Sequence, residues 1–190
     1  MANTAETAMY IHDPITVEQK PLGIPYLRPD DDLRSHGYVN LRQQPEMIEA
    51  LPELQDCTPL RDFVTALSAE NSPFETLGCE KWSAPWSHEK FPGFIIRHGS
   101  YVDIALVEKS KCSTPDVYYD LVKAFRTYAQ EHPVYDVMHV YFVLRPTVCM
   151  NQTWWTLEFW NYGIGRNSKE AERWWTEGLR YFEGFLRSQL

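Results

Sequence analysis

The sequence predicts a short helix over 46–56, interrupted by Pro52, and the spacing of apolar residues predicts three further α-helices. In the first of these three, Thr58 and Pro59 are typical of a helix start, and apolar residues follow at positions 60, 63, 64 and 67. A second helix is predicted over 115–131, where a proline again stands at the first helical position. The third is a long C-terminal helix over 168–188, which Asn167 caps and whose apolar stripe runs from position 175 to 186.

Runs of β-branched and aromatic residues predict the strands. These runs lie at 74–82, 93–98, 101–108, 134–144 and 153–162. Gly99 and Ser100 separate two of the runs as a hairpin turn would, and residues 145–152 are predicted to turn between the last two. Strands joined by tight turns favour an antiparallel sheet with helices gathered on one face. We therefore expect an α+β fold with about five antiparallel strands.

The first 45 residues differ from the rest of the chain. They contain five of the 13 prolines and show no lasting period, so we predict an extended, irregular N-terminal arm over 1–45. Residues 46–190 are expected to form a single α+β domain, because a chain of this length buries enough surface for one hydrophobic core and too little for two.

The net charge argues against a protein that binds nucleic acid. The 18 basic and 26 acidic residues leave a net charge of −8, so we expect no basic face for nucleic acid. Much of the acidic excess falls in residues 46–73, which form either a solvated surface or a patch for a basic partner.

We expect no membrane span and no secretory signal, and four cysteines without a Cys-x-x-Cys motif favour reduced thiols in the cytoplasm.

Motifs for cofactors and metal ions are weak throughout the sequence. The six histidines do not occur at metal-ligand spacing, and no glycine-rich loop has the pattern of a phosphate-binding loop. We therefore expect neither a cofactor nor a metal ion.

The last two predicted strands imply a sheet face crowded with aromatic residues. If 134–144 and 153–162 form a hairpin, apolar side chains fall on one face and aromatic ones on the face that should be polar. The aromatic set is Tyr135, Tyr141, Trp154, Trp160 and Tyr162. The N-terminal arm or a helix of the same chain, a partner protein, or a small ligand are the candidates to cover this face.

The same hairpin suggests candidate chemistry. A register with Leu144 opposite Thr153 places His139 across from Glu158, a pair that general acid–base catalysis uses and that also occurs as a plain surface pair. The candidate catalytic residues are His139, Glu158 and Tyr141. The candidate residues of the ligand or partner face are Tyr135, Trp154, Trp160 and Tyr162, with Arg97 and Asp103 from the middle strands.

Two functions remain open at this point. The first is a non-enzymatic acidic binding protein, such as an inhibitor, an immunity-like factor or an accessory subunit, whose partner is a protein. A second copy of the same chain, giving a homodimer, is included among the partners. The alternative is a pocket for a small organic ligand, or an enzyme that uses His139 and Glu158 for acid–base chemistry.

Overall fold

A computed structural model describes residues 10–11, 15–26, 37–89, 91–134, 138–149 and 151–189. Within them, the strands in chain order are β1 (Tyr10–Ile11), β2 (Thr16–Val17), β3 (Leu22–Ile24), β4 (Phe74–Pro85), β5 (Ile96–Leu106), β6 (Met138–Cys149) and β7 (Gln152–Gly165). The helices are α1 (Thr58–Ser68), α2 (Asp116–Glu131) and α3 (Ser168–Ser188). Short 3-10 turns occupy Pro45–Ala50, Pro52–Leu54 and Lys109–Cys112.

The sheet is mixed, which corrects the expectation of a purely antiparallel one. The four long strands are antiparallel and lie side by side in the order β6-β7-β5-β4. The short strands β1, β2 and β3 pair with β6 in parallel. The segment predicted as an irregular arm therefore forms strands at one edge of the sheet. Strands of two or three residues are too short to show a period of two in the sequence.

Three of the predicted helices are present and begin within one residue of the predicted positions, whereas the short helix predicted over 46–56 is replaced by two 3-10 turns. Pro59 stands in the first turn of α1, and Pro115 immediately precedes α2. The side chain of Asn167 accepts a hydrogen bond of 3.0 Å from the backbone N–H of Glu170, which caps α3 as expected. None of the described helices is long and apolar enough to cross a lipid bilayer.

The core lies between the helices and one face of the sheet, here called the helix face. Phe182 of α3 is at its centre, stacked on Phe159 of β7 with 3.9 Å between ring centroids. Its ring also packs against Phe63 of α1 and Phe125 of α2. Full burial of one such side chain contributes about 1.5–3 kcal/mol, so these rings hold all three helices to the sheet. The opposite side of the sheet is called the aromatic face.

Candidate binding face

The register between β6 and β7 differs from the predicted one by four residues. Leu144 lies opposite Leu157, because β6 continues through Pro146 to Cys149 before the chain turns. Pro146 lies between the part of β6 that pairs with β2 and the part that pairs with β3, so neither short strand pairs with the proline. The strand can therefore continue through a proline where the sequence favours a turn. Because the register shifts by an even number of residues, each side chain stays on the face predicted for it, and only its cross-strand partner changes.

The predicted pair of His139 and Glu158 is consequently wrong. His139 lies opposite Tyr162, and Glu158 lies opposite Val143, about 13 Å apart along the strands. The imidazole ring of His139 is instead near the rings of Trp86 and Phe91. The catalytic roles of His139, Glu158 and Tyr141 stay predictions, without the cross-strand pair that suggested them.

Five aromatic side chains form a continuous surface on the aromatic face, here called the aromatic ladder. They come from all four long strands: Trp82, Tyr101, Tyr141, Trp160 and Tyr162. Tyr141 stacks on Trp160 with 5.2 Å between centroids, and Tyr101 lies 5.1 Å from the other side of the same indole. Trp82 meets Trp160 and Tyr162 edge-on, at 5.4 and 5.7 Å. These contacts join the five rings into one packed surface.

Burial differs along the ladder. Tyr162 is 6% exposed, whereas the other four rings are half-buried and keep part of their surface in solvent. The hydroxyls of Tyr141 and Tyr162 are 2.8 Å apart and share a hydrogen bond. Gly99 lies beneath the rings, and a Cβ atom there would approach Tyr162 to 2.7 Å and Trp82 to 3.0 Å. The absence of a side chain at Gly99 therefore allows these two rings to lie close to the sheet.

Arg97 lies at one end of the ladder. Its guanidinium carbon is 4.7 Å from the centroid of the Tyr162 ring, which is a cation–π contact. Its cross-strand neighbours are Ala84 and Ile164, which are apolar. The Nε atom of Arg97 is buried and has no hydrogen-bond acceptor, and no ion pair joins this guanidinium to a carboxylate in the described part of the chain.

A pair of buried acids lies at the other end of the ladder. Asp103 of β5 is opposite Glu158 of β7, and the two residues are 3% and 1% exposed. Glu158 accepts a 2.9 Å hydrogen bond from the indole N–H of Trp160. Its other oxygen forms an ion pair of 2.7 Å with Arg145, which also holds Glu18 of the N-terminal segment at 2.7 Å. Arg145 thus pairs with two carboxylates, and Asp103 lies beside one of them.

The electrostatics of this pair favour one retained proton. Burial raises the pKa of Asp103 well above its ordinary value, and the charge of Glu158 raises it further against the opposing effect of Arg145. Burial also raises the pKa of Glu158, but Trp160 and Arg145 both stabilise the Glu158 carboxylate. The proton therefore belongs on Asp103, whose Oδ1 atom is buried without a hydrogen-bond partner among the described side chains.

Part of the aromatic face is covered by the N-terminal segment of the same chain. Ile24 packs with Leu77 and Ala105 in a small apolar cluster beyond the acid pair. The hydroxyl of Tyr26 donates a 3.0 Å hydrogen bond to the backbone carbonyl of Leu77. One of the three candidate covers is thus present at this end of the sheet, while the ladder itself keeps exposed ring surface.

The structure brings together most of the predicted face. Tyr141, Trp160, Tyr162 and Arg97 meet at the ladder, and Asp103 and Glu158 meet beside it. Trp154 is not part of the ladder, because it lies 5% exposed at the far end of the sheet under Lys109. Tyr135 lies outside the described residues.

Four residues of the site were missed by the sequence analysis. Trp82 and Tyr101 lie in predicted strand runs, but only the register places their rings beside Trp160. The hairpin turn predicted at Gly99 and Ser100 is wrong, because β5 continues through both residues. Arg145 falls in the predicted turn and Glu18 in the predicted arm, and no local pattern indicates that residues 127 positions apart form an ion pair.

Neither a metal-binding cluster nor a similar known protein points to a function for this face. Within the residues that the structure describes, no group of three or more His, Cys, Asp or Glu side chains could hold a metal ion. In comparisons with known proteins, no family model, no curated protein and no solved structure matches the chain.

Proposed function

We propose that the protein is a non-enzymatic binding protein that docks a partner protein on the aromatic ladder. This proposal rests on one observation: five rings from four strands form a continuous surface, and four of these rings are only half-buried. Tryptophan and tyrosine are enriched among the residues that dominate protein interfaces, because they bury a large area at a small cost in side-chain entropy.

The extent of the ladder supports a protein partner. It spans β4 to β6, which are three strand spacings, or about 14 Å, apart. Four of the rings are carried by the interior strands β5, β6 and β7, and Trp82 of the edge strand β4 packs against two of them. The surface therefore exists before a partner arrives, and little conformational entropy is lost on docking. An extended or helical segment of another protein fits such a surface.

The negative charge of residues 46–73 acts at longer range in this proposal. Its exposed side chains include Glu46 of a 3-10 turn, Asp62 of α1 and Glu70 just after α1, in the layer that covers the helix face. They lie on the other side of the sheet from the ladder. Their role would be to steer a basic partner during association rather than to contact it at the ladder.

A small organic ligand stacked on the same rings is the alternative occupant. In that case Glu158 and Tyr141 would lie close to the ligand. His139 would lie two residues from Tyr141 along β6, on the same face. The separation of His139 from Glu158 removes the support for proton transfer between them. We therefore give precedence to the binding protein without catalysis.

Site-directed photo-crosslinking tests the proposal on the full chain. Glu80 is exposed and lies opposite Tyr101 on the aromatic face, so a benzophenone amino acid at position 80 samples whatever docks on the ladder. The matched control is position 119, because Tyr119 is 40% exposed on α2, across the sheet. After irradiation in an extract of the host cells, mass spectrometry should identify one discrete protein adduct from position 80 and none from position 119.

The ladder requirement is checked in the same experiment. Tyr141→Ala should strongly reduce the yield of the adduct at position 80 while the protein stays folded. Equal crosslinking from both positions, or a yield that Tyr141→Ala leaves unchanged, contradicts docking on the ladder. An adduct of twice the chain mass identifies the partner as a second copy, and an adduct of a few hundred daltons identifies a small ligand instead.

A further inference from the structure

We propose that Arg97 is the anchor for a carboxylate of the docked partner, so that the ladder binds a protein segment with an acidic group next to an apolar or aromatic side chain. This inference rests on the proposed function and deepens it by naming the chemistry of the partner. The acidic group is an Asp or Glu side chain or a C-terminal carboxylate, which share the same planar pair of oxygens.

The contrast between two arginines on the same face supports this assignment. Arg145 lies at the buried end of the aromatic face and forms ion pairs with Glu18 and Glu158. Arg97 lies at the other end, packed on Tyr162, and no described carboxylate pairs with it. The chain as a whole is strongly acidic, so a cation left without an acid on an ordered surface points to an acid supplied from outside.

The environment of the guanidinium specifies how that acid would bind. Its Nε atom is buried without an acceptor, and a buried donor that lacks an acceptor is unfavourable. Because Nε is shielded, the donors for an external acid are the two terminal nitrogens, whose parallel N–H groups match the two oxygens of a carboxylate. The Tyr162 ring holds the guanidinium by one face, which reduces the conformational freedom lost when such a pair forms.

The neighbouring rings specify what accompanies the acid. The Tyr162 ring under Arg97 is 5.7 Å from Trp82 and 5.6 Å from Tyr141. Side chains two residues apart on one side of an extended segment are about 7 Å apart, so such a segment can place a carboxylate on Arg97 and a ring on the ladder together. Neither interaction alone distinguishes this segment from other peptides, but the combination does.

Two small probes separate charge from ring stacking. Indole-3-acetate and its amide, indole-3-acetamide, have the same ring and nearly the same shape and differ in charge. Both are titrated into the full-length protein while NMR follows the indole N–H signals of Trp82 and Trp160. We expect both probes to shift these signals and indole-3-acetate to bind about fivefold more tightly, as for a partly exposed ion pair of about 1 kcal/mol.

Two variants show whether Arg97 causes the preference. Arg97→Gln removes the charge, keeps two of the three methylene groups and should make the affinities of the two probes equal. Arg166→Gln is the matched control, because Arg166 is exposed and packs on Phe94 rather than on the ladder. It should leave the preference for the anion intact, and unchanged signals from the other tryptophans confirm that both variants are folded.

The outcomes separate this inference from the docking proposal. Equal binding of the two probes to the unmodified protein overturns the role of Arg97 and leaves docking on the ladder in place. A preference that persists in Arg97→Gln also overturns it. If indole-3-acetate shifts neither tryptophan signal, the ladder with Arg97 does not bind anionic rings, and the inference fails whatever the crosslinking experiment shows.

Discussion

Asp103 and Glu158 lie directly opposite each other on adjacent strands, with both side chains buried next to a single arginine. Two carboxylates so close in a region of low dielectric cannot both be ionised without a large cost. Arg145 and the indole of Trp160 stabilise charge on Glu158, so Asp103 is the group that stays neutral. The pair therefore makes the fold sensitive to pH.

The first prediction concerns this sensitivity. The pKa of Asp103 is raised in the folded state, so the folded protein keeps a proton that the unfolded chain releases above its ordinary pKa. The free energy of unfolding should then fall as pH rises from the ordinary range of an aspartate through the raised pKa. Asp103→Asn removes this titration and should flatten the dependence, with a gain of about 1 kcal/mol at pH 8.

Urea unfolding between pH 5 and 9 measures this effect. The control is Asp62→Asn, since Asp62 is exposed on α1 and its loss should leave the slope unchanged. If the Asp103→Asn variant retains the full pH dependence, the proton is not held at this pair.

The second prediction separates the two ion pairs of Arg145. Arg145→Gln leaves the carboxylate of Glu158 buried without a cation, and we expect a loss of about 3 kcal/mol in unfolding free energy. Glu18→Gln removes the pair with a side chain that is 40% exposed, so its cost should be at most about 1 kcal/mol. Denaturant titrations of both variants at pH 7 give the comparison, and equal losses would contradict the larger role assigned to the buried pair.

The third prediction concerns the glycine beneath the ladder. In Gly99→Ala the new methyl group would lie within 3.0 Å of the rings of Tyr162 and Trp82, so the rings must move away from the sheet. Overpacking of this kind costs about 1–3 kcal/mol, and the near-ultraviolet circular dichroism of the aromatic rings should change. Gly23→Ala is the matched control, because a Cβ atom there has no neighbour within 4 Å. Identical spectra and stabilities for the two variants would show that the rings are not held over Gly99.

The sequence allowed the faces of the sheet to be predicted but not its pairing. Alternation along β6 and β7 correctly assigned Phe142 and Phe159 to the helix face. The register depends on where the turn lies, and β6 continues through Pro146 to Cys149, where the sequence analysis had placed the turn. Because an even slip conserves the faces, the aromatic face was predicted although the pair of His139 and Glu158 was not.

Contacts between distant segments were beyond prediction for a different reason. Trp82, Tyr101 and Trp160 meet because β5 lies between β4 and β7 in the sheet, an order that the local pattern of residues does not determine. The ion pair between Glu18 and Arg145 likewise requires the short parallel strands at the edge of β6. Both features depend on which strands become neighbours after folding.

The last prediction distinguishes the rings of the ladder from their hydroxyl groups as the source of binding energy. Tyr141→Phe removes the 2.8 Å hydrogen bond to Tyr162 and keeps the ring that stacks on Trp160. Affinity for the partner identified by crosslinking should therefore change less than about threefold, since this hydrogen bond joins two groups of the protein itself and leaves the stacking ring in place. Tyr141→Ala removes the ring itself and should weaken binding by about tenfold or more.

Isothermal titration calorimetry with the purified partner gives both values, and Tyr119→Ala on α2 serves as the control that should leave affinity unchanged. A loss in Tyr141→Phe as large as that in Tyr141→Ala would assign the binding energy to the paired hydroxyls. The ladder would then act through polar groups at specific positions, and a partner would be selected by its hydrogen-bond donors rather than by its apolar surface.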